Sequence, residues 1–196
     1  VLTLPAESHL GEQMAVVDVD GIHRARTARA RRIGERLRDD LLAVYRDNGE
    51  SGPYAFTPEA VGRRALKNLA LGYLMQAEDA EALARCQAQF AGAHNMTDVM
   101  AALRLLVDRG GLESRQALDE FYRRWSGESL VLDKWFSVQA TSPREETLTQ
   151  VIQLMRHPDF SLGHPNRVRS QVSAFCNLNQ VRFQAADGAG YRFLAE

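Results

Sequence analysis

Residues 20–48 read DGIHRARTARARRIGERLRDDLLAVYRDN. Within them Ile22, Ile33, Leu37, Leu41, Val44 and Tyr45 recur mostly at three- and four-residue spacing, the period of an amphipathic helix, and Asn48-Gly49 supplies a stop. The stretch predicts one long helix from Asp20 to Asn48. Its arginines, from Arg24 to Arg38, spread round most of the helix when projected at about 100° per residue, with Glu35, Asp39 and Asp40 beside them. A solvated face with local ion pairs accounts for them better than a track for a phosphate backbone.

The same period continues outward. Thr57-Pro58-Glu59 offers a capping oxygen and a proline suited to the first helical position, so a helix through Val61, Leu66, Leu69 and Tyr73 follows the loop 49–56. A short Ala-rich helix is expected over Glu78 to Phe90, and another opens at Thr97-Asp98 and ends at Gly110-Gly111. From about Ser114, Leu118, Phe121, Tyr122 and Trp125 fall on one face, and Leu130 to Val138 resumes after Gly127 with Trp135 and Phe136. Ser142-Pro143-Arg144-Glu145 reads as a capping box leading to Leu148, Val151 and Ile152. Val168, Val172 and Phe175 give a last face after Pro165, and Asp187-Gly-Ala-Gly-Tyr reads as a turn. No run alternates as a strand. The expected fold is all-α: antiparallel helix pairs in a layered or curved, superhelical array of the ARM or HEAT kind, forming a single helical domain over residues 1–196.

Composition fits an ordinary folded chain, with 45% hydrophobic and 25% charged residues. A net charge of −1 supplies no field to gather nucleic acid or anionic lipid, and charges interrupt every apolar run before the roughly 20 residues a bilayer requires. Neither nucleic acid nor membrane is expected as a partner. Cys86 and Cys176 lie far apart with no C-x-x-C spacing, which fits reduced thiols in a cytoplasmic protein. The opening residues carry no basic leader and read as the interior of a longer polypeptide.

Chemistry is hard to place in this chain. Zinc peptidase catalysis needs two histidines at i and i+4 with a glutamate between them, and His9, His23, His94, His157 and His164 never take that spacing. A G-x-S-x-G elbow and a phosphate-binding glycine loop are missing too. Leu132 to Gln139 mixes charges and an amide with two large aromatics, which suits a packed helix or a cavity wall. In His164-Pro165-Asn166-Arg167-Val168-Arg169, two arginines sit in the first turn of a helix, where they oppose the helix dipole. Either a structural ion pair or contact with external carboxylates would explain them.

Four segments resemble the bacterial aminopeptidase N family of zinc metallopeptidases. They are His94-Asn-Met-Thr-Asp98; Leu130-Val-Leu-Asp-Lys-Trp-Phe136 with Gln139-Ala-Thr-Ser142; Pro165-Asn-Arg-Val-Arg-Ser170; and Phe183-Gln-Ala-Ala-Asp-Gly-Ala-Gly-Tyr-Arg-Phe-Leu194. The opening Leu2-Thr-Leu-Pro5 also fits. The resemblance implies an internal fragment of the C-terminal helical domain, with no catalytic or metal residues of its own and no cofactor in the fragment. Zinc and the H-E-x-x-H site belong to the catalytic domain of the same polypeptide, which becomes its partner. Peptide substrates are the other partner, because in the family this domain closes over the cavity where they bind. By position the second arginine of the N-P-N-R-x-R motif is Arg169, with Asn166 and Arg167 as further candidates. His94 and His164 depart from the family's usual asparagines. The alternative reading is a free-standing helical module that binds a protein or peptide.

Overall fold

The computed structural model describes residues 3–49 and 52–195. Leu2 of the opening motif, Glu50 and Ser51 of the loop 49–56, and the terminal Glu196 lie outside the described residues. Every regular element among those described is helical, with no strand. The chain divides into two compact units, Val1–Leu105 and Leu106–Glu196.

In the first unit, α1 (Glu7–Gly11) is tied to α2 (Val19–Arg36) by His23 Nδ1 and Glu7 Oε1, 2.8 Å apart. The single helix expected over residues 20–48 is two: the backbone leaves helical geometry at Leu37 (φ −108°, ψ 23°), and α3 (Arg38–Asp47) begins there. Both segments pack on α4 (Pro58–Gln76), but by different means. At Gly34 an added Cβ would lie 2.2 Å from the Tyr73 carbonyl oxygen, so α2 meets α4 backbone to backbone. α3 inserts Leu41 and Leu42 beside Tyr73 and Leu74 instead. The bend at Leu37 lets one chain direction serve both contacts.

Thr57 caps α4 as expected, accepting from Ala60 N–H at 3.3 Å with Pro58 in the first turn. The turn into α5 (Ala80–Gly92) is so short that Glu78 takes a left-handed φ of 57°. Asp79 then caps α5 through Glu81 and Ala82 N–H. On α5 the fully buried Cys86 donates its thiol to the Ala102 carbonyl on α6 (Met96–Arg109) at 3.4 Å. Burial pushes that thiol up to about 12.

The second unit begins at the end of α6. Gly110 and Gly111 adopt φ of 77° and 85°, and the Arg144 guanidinium fills the space a Cβ at Gly110 would need, donating to the Arg109 carbonyl at 2.8 Å. α7 (Gly111–Trp125) therefore starts three residues earlier than Ser114. α8 (Ser129–Ala140) runs through the centre, with Phe136 and Val138 buried and Trp135 Nε1 donating to the Leu118 carbonyl at 3.0 Å.

The capping box at Ser142 does not form. α9 (Thr147–Leu154) starts later, and the buried Ser142 hydroxyl has no hydrogen-bond partner among the described residues. The Ser142 carbonyl is used instead, accepting from Thr147 Oγ1 and Asn179 Nδ2. A short α10 (Pro165–Val168) runs into a π-helical turn at Arg169–Ser173 and then α11 (Ala174–Leu178). α12 (Gln180–Phe183) and α13 (Ala189–Ala195) close the unit, packing Phe183 and Phe193 edge-on against Phe175. Gly188 (φ 71°) makes the turn expected at residues 187–191, but a helix the periodicity did not show follows it at once.

Candidate functional site

The three candidate residues Asn166, Arg167 and Arg169 separate into two environments. His164 caps the helix, its Nδ1 accepting from Arg167 N–H at 3.4 Å, and Pro165 takes the first helical position. Arg167 then turns inward and is only 4% exposed. Its guanidinium carbon lies 4.8 Å from the centre of the Phe136 ring, and its Nε is 3.2 Å from Asp133 Oδ1. The separation is that of an ion pair, yet the N–H direction misses the oxygen: neither Arg167 Nε nor Nη1, nor Asp133 Oδ1, has a hydrogen-bond partner among the described residues. We take the contact as Coulombic, supplemented by the aromatic face. The carboxylate on α8 is what makes a cation tolerable in the first turn of α10.

Arg169 points the other way. It is exposed, and among the described residues its one hydrogen bond is a long one, Nη1 to Asn166 Oδ1 at 3.4 Å. It opens the π-helical turn, in which the Ala174 N–H reaches back five residues to the Arg169 carbonyl. Turns of this kind leave a bulge in the helix and are frequent at functional sites. The turn is held on both sides: Ser170 Oγ donates to the Arg167 carbonyl at 2.9 Å, and the fully buried Gln171 donates through Nε2 to the Val151 carbonyl at 2.7 Å. Arg169 and Asn166 thus form one exposed polar pair on a fixed backbone, and Arg167 belongs to the anchor below it.

The aromatics of Leu132 to Gln139 serve packing. Trp135 and Phe136 sit edge-on at 5.0 Å, Tyr122 lies 5.2 Å from Trp135, and His157 stacks among the three rings. Tyr122 donates to Asp159 Oδ2 at 2.5 Å, and that carboxylate acceptor holds the phenol above its ordinary pKa. Among the described residues no three of His, Cys, Asp or Glu gather where they could hold a metal ion.

A second polar cluster was only half visible in the sequence. Asp98, 2% exposed, accepts from Lys67 Nζ at 2.5 Å, from Asn68 Nδ2 at 2.8 Å and from Asn95 Nδ2 at 3.0 Å. Asn95 in turn accepts from Asp98 N–H at 2.9 Å, and Gln89 donates to the Asp98 carbonyl. The segment His94 to Asp98 is therefore a structural knot joining α4, α5 and α6. Burial acts most strongly on Asp98 and pushes its carboxyl up, but the bonds from Lys67, Asn95 and Asn68 together more than offset it and hold the group below the usual range.

The whole chain, residues 1–196, matches the family described as "Domain of unknown function (DUF3458_C) ARM repeats". It is 40% identical over its full length to aminopeptidase N of Caulobacter vibrioides and 39% identical to that of Escherichia coli K12. These alignments take in 23% and 22% of those proteins, so the chain spans less than a quarter of the relatives it matches. A solved structure of Legionella pneumophila aminopeptidase A in complex with aspartic acid superposes on 99% of this chain and 24% of that one, with a TM-score of 0.89 at 27% identity. The all-helical architecture, the four motifs and the full-length match agree: the chain belongs to the DUF3458_C family of ARM-repeat domains, in the form that bacterial aminopeptidase N carries.

Proposed function

We propose that this chain is the non-catalytic helical domain of a zinc aminopeptidase, a hydrolase that removes N-terminal amino acids from peptides, and that it walls the substrate cavity. The observation that carries this reading is the exposed Arg169, presented with Asn166 on a backbone clamped from both sides. A guanidinium with most of its donors unused is suited to the carbonyls and terminal carboxylate of a peptide beyond its scissile bond. Zinc and the proton-transferring groups would be held by residues elsewhere in the polypeptide, because the described residues supply no ligand set. Two free thiols fit a reducing, cytoplasmic setting.

The test is Arg169→Ala in the intact enzyme. Loss of a charged hydrogen bond to substrate should lower kcat/KM for tripeptides and longer by about 10- to 100-fold, with metal content unchanged. A kinetic profile identical to wild type across peptides of different length would remove Arg169 from the cavity. The 196-residue chain alone should not cleave an aminoacyl chromogenic amide; chelator-sensitive cleavage by the pure chain would overturn its non-catalytic role.

A further inference from the structure

We infer that Asp133 is a positioning residue for the Arg169 site, acting through Arg167; the inference rests on the reading of Arg169 above. Asp133 lies on α8, and the polar pair lies on α10 and the turn after it. What joins them is Arg167, with its charge beside Asp133 Oδ1 at 3.2 Å and its guanidinium over Phe136.

As a device for stability this contact is poorly made. The Arg167 charge is buried and faces the buried Oδ1 of a half-buried Asp133, the pair lacks hydrogen-bond geometry, and Nε and Nη1 of the guanidinium have no hydrogen-bond partner among the described residues. A well-packed apolar pair of similar volume would hold α10 on α8 at least as well. What an apolar pair lacks is the pull of one charge on the other. The ion pair and the ring plane fix where Arg167 sits, and the Arg167 carbonyl is the acceptor for Ser170 Oγ, within the π-helical turn that begins at Arg169. Gln171 pins the far side of that turn to α9. Arg169 stands between these two anchors, so a shift of Arg167 is passed to it within two residues. Displacement of a substrate-positioning group by about 1 Å is enough to cost up to about 100-fold in rate or binding.

Three variants of the intact aminopeptidase test this: Asp133→Asn, the double Asp133→Leu with Arg167→Met, and Arg169→Ala as reference. Asp133→Asn should raise KM for tripeptides about tenfold while kcat moves less than about twofold. It should also lower the thermal midpoint, because Arg167 is left buried without its counter-charge. The double variant removes both charges and should recover the midpoint to near wild type. Its KM should stay raised, since packing returns and the charge attraction that locates Arg167 does not. A double variant with both midpoint and KM at wild-type values would show the pair to be structural only and overturn the inference. If Arg169→Ala lowers peptide affinity while that result is obtained, the cavity reading stands and only the role of Asp133 falls. If Arg169→Ala leaves KM unchanged, the cavity reading fails and takes this inference with it.

Discussion

Replacing Lys67 with alanine should destabilise the protein by about 3–5 kcal/mol, the usual consequence of leaving one partner of a buried ion pair behind. Asp98 would keep Asn68 and Asn95 but lose the Lys67 ammonium, in a site where the residue is 2% exposed. Urea unfolding followed by far-UV circular dichroism measures the loss. The double replacement Lys67→Met with Asp98→Leu should lose less than the single one, because no uncompensated charge remains. A single-variant loss below about 1 kcal/mol would mean the charge finds another partner and the knot is not what holds α6 to α4.

The same group sets a pH dependence. Its folded-state carboxyl lies below the ordinary aspartate value of about 3.9, so the unfolded chain binds the proton more readily. The stabilisation is fully present above that ordinary value and is lost as pH falls through it toward the depressed one. Asp98→Asn should therefore flatten the acid limb of the stability curve, and an unchanged limb would contradict the assignment.

Phe136→Ala should cost about 3–5 kcal/mol as well, for a different reason. The ring is fully buried, meets Trp135 and His157 edge-on and Phe160 at 6.1 Å, and floors the Arg167 guanidinium. Alanine opens a cavity at the centre of the second unit and removes the aromatic face on which a buried cation rests. Phe136→Leu keeps most of the volume and should cost less than about 1.5–2 kcal/mol. Both tryptophans, Trp125 and Trp135, lie in this unit, so their fluorescence reports its unfolding directly. Near-equal losses for alanine and leucine would point to the lost cation contact, and not the cavity, as the larger effect.

Much of the helical order was legible because apolar residues return every three or four positions and because caps are local. Thr57-Pro58 and Gly110-Gly111 needed no distant partner to be read. The bend at Leu37 was not legible, since it depends on how closely Gly34 approaches Tyr73, a contact between helices far apart in sequence. The capping box at Ser142 failed for a similar reason: Asn179, thirty-seven residues on, claims its carbonyl. Lys67 could have been read as buried, because it precedes Ala70, Leu71 and Leu74 on the inner stripe of α4; its charge hid it. At the candidate site the sequence left Arg167 and Arg169 equivalent. Only Asp133, on another helix, divides them into anchor and exposed group.

The fate of Cys86 gives the molecule a built-in clock. Alkylating reagents attack thiolates, and a sulfur that is sealed between α5 and α6 and resists ionisation until about pH 12 offers none while the first unit stays closed. Iodoacetamide should therefore mark Cys86 only as fast as those helices part, and should mark Cys176, half-buried on α11, sooner. Mass spectrometry of the two peptides over time would turn an unreactive sulfur into a record of how often α5 leaves its neighbour.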